Sequence, residues 1–177
     1  MKILTFLYNY KKGVDKMRYM GSKSKIKKEI VPILQEMIDN NEIKTYVEPF
    51  VGGANVIDTI RCERRIGGDN HEYLIALLKH VRDGGELPTE VSKELYDDVR
   101  KNKNTKQYST SKDFNHDIFW EWARQMSKKN IVVISELQAP DDFECIWERK
   151  IMRTMNVKNT KESTEKLFIY KGDANGE

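Results

Sequence analysis

The sequence predicts an α/β fold, an open sheet with helices and a C-terminal antiparallel hairpin. Three stretches carry that prediction. Tyr46-Val47-Glu48-Pro49-Phe50-Val51-Gly52-Gly53-Ala54-Asn55-Val56 reads as a short buried strand ending in an acid, then a glycine turn, then a helix from about Ala54. That order builds a nucleotide pocket at the carboxyl end of the first strand of an open sheet. A second strand, Arg65 to Asn70, ends in Asp69, 21 residues beyond Glu48. Finally, Ile131 to Glu136 is a continuous apolar run of strand length, as expected for a strand buried on both faces. Two more strands follow with no helix between them, which predicts a hairpin at the sheet edge.

Composition sets the outer bounds. The 177 residues suggest one domain with a real core. Charged residues make up 33% and hydrophobic ones 38%, ordinary for a soluble globular protein. A net charge of +3 permits a nucleic-acid partner without arguing for one. Cys62 and Cys145 are too few for a disulfide framework, and no Cys/His cluster points to a metal. His71, His80 and His116 are scattered and read as structural or surface residues. No apolar run reaches the ~18 residues of a membrane span. Ile3 to Tyr8 is too short for a signal-peptide core. The expected setting is cytoplasmic and reducing.

Residues 1–16 are apolar, then basic, and read as a poorly ordered N-terminal extension before a second methionine, Met17. Gly21 and Ser22 suggest a turn. Ser24 is a plausible N-cap for a helix to about Asn40, with Ile26, Ile30, Ile33, Leu34, Met37 and Ile38 on one face. Pro32 kinks or divides that helix. The helix begun at Ala54 runs to about residue 63, and another spans His71 to about Val81. Asp83-Gly84-Gly85 is a turn, and Pro88-Thr89 opens a helix to about Lys101. A polar loop, Lys101 to Ser111, has no strand signal. Asn115 caps a helix to about Lys128. The hairpin strands are Cys145 to Met155 and Glu165 to Tyr170, joined by a polar loop over 156–164, and residues 172–177 form a tail.

The candidate site residues each have a plain structural reading beside the chemical one. Gly52 and Gly53 let the backbone approach a ligand, or merely turn the chain. A helix start after them offers free N–H groups to an anion. Asp69 is placed to accept hydrogen bonds from ribose hydroxyls, or to cap the next helix. Lys16, Arg18, Lys23, Lys25, Lys27 and Lys28 form the densest basic patch, either solvated helix surface or a contact for phosphates.

In this order the pieces resemble the Dam-type (D12 class) DNA adenine N6-methyltransferases, especially short phage-encoded members. The resemblance covers about 17–100 and 105–171. Arg18-Tyr19-Met20-Gly21-Ser22-Lys23 resembles the family's opening motif, an aromatic followed by a glycine turn and a lysine. The resemblance gives Tyr19, Gly21 and Lys23 a share in holding S-adenosylmethionine. Glu48-Pro49-Phe50-Val51-Gly52-Gly53 resembles the cofactor loop, Asp/Glu-Pro-Phe-x-Gly-x-Gly, except that the second glycine directly follows the first. Asp69-Asn70 resembles the ribose-holding motif. The implied fold is a Rossmann-like methyltransferase sheet over residues 17–171. The implied partner is double-stranded DNA, contacted through Arg18, Lys25, Lys106 and Tyr108.

One motif is missing. The family's chemistry rests on Asp/Asn-Pro-Pro-Tyr/Phe, and the four prolines here, Pro32, Pro49, Pro88 and Pro140, include no adjacent pair. The chain reads as spliced across a gap near 101–105, losing central strands and most of the DNA-reading region. No catalytic residue is identified. Asp141, Asp142 and Tyr108 are possible substitutes, although turn acids explain the first two more simply. The strand 131–136 is then expected to pair directly with strand 45–49. The functional expectation is a site-specific adenine methyltransferase with impaired or lost transfer, of the restriction-modification kind. The alternative is a non-catalytic protein that binds S-adenosylmethionine or nucleic acid.

Overall fold

A computed structural model describes residues 2–6, 22–101, 114–156 and 159–172. Where the composition suggests one domain, the chain divides into two compact units, Met1–Lys101 and Asn102–Glu177. Both are mixed α/β, each with its own three-stranded sheet.

In the first unit β1 (Lys2–Phe6), β2 (Thr45–Glu48) and β3 (Arg64–Asp69) form a sheet in the order β1-β3-β2. β2 runs parallel to β3, and β1 runs antiparallel to β3 with Lys2 opposite Asp69. The N-terminal stretch, expected to fray, thus supplies a strand over Lys2–Phe6. A strand of apolar residues beside an open edge gains ladder hydrogen bonds that sequence periodicity does not register.

A 3-10 helix, Lys23–Lys25, leads into α1 (Lys27–Asn40). Ser24 does not cap α1: Ser22 caps the 3-10 helix, its Oγ accepting from Ser24 N at 3.2 Å, and α1 follows Ile26 with no side-chain cap. α1 is unbroken through Pro32 and buries Ile30 and Ile38, with Ile26 just before it. α2 (Glu72–Arg82) starts where expected, with His71 Nδ1 accepting from Leu74 N at 3.2 Å. Its last turn carries Lys79, His80 and Arg82, which suit the negative end of the helix dipole. α3 (Lys93–Lys101) begins four residues later than the proline predicted. Ser92 Oγ accepts from Leu95 N and fixes that start.

The expected helix over 54–63 is absent. Residues 55–59 are a series of turns, with bonds such as Asp58 N to Ala54 O at 3.2 Å and Thr59 N to Val56 O at 2.8 Å. Val51, Ala54, Ile57 and Ile75 nevertheless form this unit's core, with Tyr46 and Leu78 packed against them.

The second unit contains α4 (His116–Ser127), β4 (Val133–Glu136), β5 (Phe143–Asn156) and β6 (Asn159–Tyr170), with sheet order β4-β6-β5. Asn115 Oδ1 caps α4, accepting from Ile118 N at 3.0 Å. β4 pairs antiparallel with β6, so the expected pairing of 131–136 with 45–49 does not form. The hairpin is longer than its apolar pattern: β6 begins at Asn159, inside the stretch read as a loop. The polar strands persist because the ladder satisfies their backbone groups whatever the side chains are. Trp120, Ala123, Ile134, Phe143 and Phe168 form the core, with Trp120 and Phe143 centroids 4.8 Å apart.

Asp142, a possible catalytic substitute by sequence, is engaged here. Arg124 donates from Nε to Oδ2 at 2.5 Å and from Nη2 to Oδ1 at 3.0 Å, a bidentate fork joining α4 to the turn before β5. That hydrogen bond holds the Asp142 carboxyl below its usual range. The pair is partly exposed, so its worth is about 1 kcal/mol. We expect Arg124→Met to lower this unit's stability by about that amount. Trp120, Trp122 and Trp147 all lie in this unit, so urea unfolding followed by tryptophan fluorescence reads it selectively. Because the carboxyl is depressed, the contribution is present above its unfolded pKa and disappears as pH falls through the folded one. A midpoint unchanged by the substitution at neutral pH contradicts the assignment.

Candidate functional site

The tips of β2 and β3 meet at one carboxylate. Asp69 Oδ2 accepts from Gly52 N at 3.0 Å, and Asp69 Oδ1 accepts from His71 N at 2.9 Å. Parallel pairing puts these tips together, with Glu48 opposite Gly67 in the register. Val51 N donates to Gly68 O at 2.8 Å and fastens the turn alongside β3. Asp69 therefore does not cap α2 itself; it orients the residue that does. Each carboxylate oxygen has two lone pairs and accepts one of these backbone bonds, so each retains capacity for a hydroxyl donor.

Gly52 takes φ +47°, as a glycine turn requires. The next left-handed residue is Ala54, at φ +55° and buried. Counted along Asp/Glu-Pro-Phe-x-Gly-x-Gly, Ala54 stands where the second glycine belongs. The sequence departs from the pattern there, yet Ala54 takes the left-handed conformation that a glycine adopts most readily.

Glu48 faces the interior of the turn segment. Its Oε2 accepts from Ile57 N at 3.0 Å. Burial drives its pKa up to about 8, against a smaller lowering by that bond. The carboxyl is therefore largely neutral at neutral pH. Burial also raises the neighbouring Tyr46 hydroxyl, with a smaller contribution from Glu48. Phe50 presents a ring that is 63% exposed, Pro49 and Gly53 are half-buried, and Asn70 is exposed.

Asn55 Nδ2 donates to Ser22 Oγ at 3.0 Å, so the turn carrying Lys23 and Lys25 is tied to this loop. Tyr19, Gly21 and Arg18 precede the described residues at that point, and Lys106 and Tyr108 also lie outside them. Three side chains not singled out in the sequence hold the rest. Asn55 is one. Gln35 of α1 takes Arg61 N on Oε1 at 2.8 Å and gives Nε2 to Arg61 O at 2.9 Å. Buried Arg65 donates from Nη1 to Ile57 O at 2.9 Å and Ile60 O at 3.2 Å. An arginine beside the apolar centre of a short strand was the available signal for the last. A shallow surface concavity lined by Asp39, Lys44, Arg61 and Glu63 among others lies where β2 and β3 begin, away from these tips. Among the described residues no group of His, Cys, Asp and Glu could hold a metal ion, and no helix is long and apolar enough to cross a membrane.

The family model of the D12 class N6 adenine-specific DNA methyltransferases matches residues 19–167. The match runs through both strand tips, the glycine turn and the second unit's sheet. No curated protein and no solved structure gave a match.

Two outcomes follow from this geometry. A β-branched residue at positive φ is a genuine outlier, so Ala54→Val should cost about 2 kcal/mol or more, through strain and overpacking. Ala54→Gly should stay within about 1 kcal/mol of wild type, because relief of strain offsets the lost methyl. Thermal unfolding followed by circular dichroism separates the two, and equal effects would contradict a left-handed Ala54. For Glu48 the folded pKa lies above the unfolded one, so its contribution is full below about 4.5 and lost as pH rises through about 8. We expect unfolding free energy to fall by several kcal/mol across that window, at roughly 1.4 kcal/mol per tenfold. Glu48→Gln, which keeps an acceptor for Ile57 N, should flatten most of that slope. A slope identical in both proteins counts against a buried carboxyl.

Proposed function

Because the chain belongs to the D12 class N6 adenine-specific DNA methyltransferase family, we propose that its strand tips hold S-adenosylmethionine while transfer to adenine is impaired. The two-point anchoring of Asp69 beside the left-handed Gly52 carries this reading. A fixed carboxylate with lone pairs to spare suits two adjacent ribose hydroxyls. In this reading Tyr19, Gly21, Lys23, Glu48, Pro49, Phe50, Gly52, Gly53 and Asn70 complete the cofactor set. Glu48 serves from behind, holding Ile57 N so that the turn keeps its shape. Phe50 offers an exposed ring to a flat ligand group. The strand, turn, strand and α2 of the first unit form the Rossmann-like half of the fold. S-adenosylmethionine, when bound, supplies an electrophilic methyl group.

The acceptor side of the reaction is what the chain lacks. The exocyclic amine of adenine is a weak nucleophile, and hydrogen-bond acceptors placed on it are needed to localise its lone pair. Those acceptors belong to a Pro-Pro segment, and no two prolines are adjacent here. Asp142 does not replace them, being forked to Arg124. Positioned groups of this kind account for several kcal/mol of barrier, at about 1.4 kcal/mol for each tenfold in rate. Arg18, Lys25, Lys106 and Tyr108 contact double-stranded DNA in this reading. The missing segment also supports a second reading, a purely non-catalytic protein that binds the cofactor or nucleic acid.

Calorimetry with S-adenosylmethionine, paired with tritium transfer to unmethylated duplex DNA, tests both halves. We expect binding by the wild type, a loss of at least about tenfold in Asp69→Ala, and no label in DNA. Undiminished binding by Asp69→Ala, with circular dichroism unchanged, overturns the cofactor site. Tritium in adenine overturns the impairment.

A further inference from the structure

α4 carries apolar residues on two faces. One face buries Trp120 and Ala123 in its unit's core. The other presents Ile118, Trp122 and Met126, which are 68%, 38% and 38% exposed. These three stand four residues apart in turn, so they line one ridge of the helix. A surface helix normally turns charged and polar residues outward. Large apolar side chains grouped at a surface mark a contact site. Trp122 is also braced. Its ring stacks on half-buried Phe119, with centroids 6.0 Å apart and planes 29° from parallel. Central, well-packed aromatics are the usual anchors of interfaces.

The charges beside the ridge identify what covers it. Asp117 in the first turn, Glu121, and Lys128 at the C-cap lie along one flank, spaced by four and then seven residues. Glu121 is already engaged: its Oε1 accepts from Gln125 Nε2 at 2.8 Å, and its Oε2 lies 3.7 Å from Arg124 Nη1. Asp117 and Lys128 are exposed, and among the described residues neither has an ion partner. An unpaired acid thus stands at one end of the flank and an unpaired base at the other. When two identical helices pack antiparallel, the same flank of each meets and opposite ends coincide. A twofold axis at Trp122 then sets Ile118 of one copy against Met126 of the other. The same axis brings Asp117 to Lys128 of the second copy, and the pairing occurs twice, as in any isologous contact. The helix dipoles oppose favourably in that orientation. A parallel pair brings like ends together and loses both attractions.

We propose that this face of α4 is a homodimer contact, covered by the same face of a second copy of the chain in antiparallel orientation. One helix-on-helix patch is smaller than the ~1,200 Å² at which standard interfaces begin, so the dimer is weak and reversible, with a dissociation constant on the order of 10 µM. None of these residues belongs to the proposed cofactor set, so the two readings fail separately.

Sedimentation velocity of the full chain, diluted from about 200 µM to about 1 µM, brackets that constant. We expect the wild type to pass from dimer to monomer over the series. Ile118→Ser/Met126→Ser should weaken association at least about tenfold. Asp117→Lys and Lys128→Asp change the net charge in opposite directions, yet each sets like charges against one another and should weaken association about threefold or more. Mixing these two variants restores attraction at both contacts and should return association to within about twofold of wild type. The double variant Asp117→Lys/Lys128→Asp should recover in the same way. Circular dichroism checks that α4 still folds in each variant, and recovery in the mixture is a result that misfolding does not produce. A wild type that stays monomeric at the top of the series overturns the proposal, including one that binds neutral phosphatidylcholine vesicles instead. So does a dimer that Ile118→Ser/Met126→Ser leaves intact, or a mixture that associates no better than either charge variant alone.

Discussion

The carboxylate of Asp69 is the constraint on which the first unit's site depends. It sits at the end of β3 and takes the amide of Gly52 from one loop and that of His71 from the next. Hydrogen bonds to an ionised acceptor are roughly twice as strong as neutral ones. Their loss would leave two backbone donors without this acceptor. Everything adjoining then has little freedom. Gly52 must turn left-handed to offer its N–H, Val51 is drawn onto Gly68 O, and His71 is set to cap α2 through Nδ1. One side chain thereby links a parallel strand pair, a turn and a helix start.

The stretch from 49 to 63 extends the same logic. Turns that do not become a helix leave amides and carbonyls without regular partners. Here polar side chains on regular elements meet them. Glu48 takes Ile57 N, Gln35 takes both backbone groups of Arg61, and Arg65 gathers Ile57 O and Ile60 O. Each of these side chains is half-buried or buried. Burying them is unfavourable unless they are paired, and pairing them is what fixes the loop. The raised pKa of Glu48 is the electrostatic mark of this arrangement.

These features decide how much was legible in the sequence. The acid–glycine–acid spacing located both strand tips, because strand ends and turns are specified by local residues. Asn115 marked the start of α4 correctly for the same reason, whereas α2 is capped by His71 and not by Asp69, the cap candidate offered by the sequence. The segment after Gly53 read as a helix because its apolar residues bury themselves at helix-like intervals. What prevents the helix is Ala54 at positive φ, together with non-local donors and acceptors brought from β2, β3 and α1. Strand partners were illegible as well. β1 joins β3 and β4 joins β6 through backbone bonds, to which side-chain patterns are nearly blind. The polar outer half of β5–β6 read as loop for that reason.

The polar side chains of the two units serve different ends. In the first, the residues proposed to hold the methyl donor are organised by backbone amides, so that half does not need the Pro-Pro segment in order to form. In the second, α4 is fastened to the turn before β5 by Arg124 and Asp142, which commits Asp142 to structure rather than to a reacting amine. Binding energy spent on a donor accelerates nothing unless it grows in the transition state. A chain that orders the ribose end of a cofactor but places no acceptor on the nucleophile can bind tightly and still turn over slowly. On that reasoning the proposed affinity for S-adenosylmethionine and the proposed rate of transfer are separate quantities, and a measurement of one does not stand in for the other.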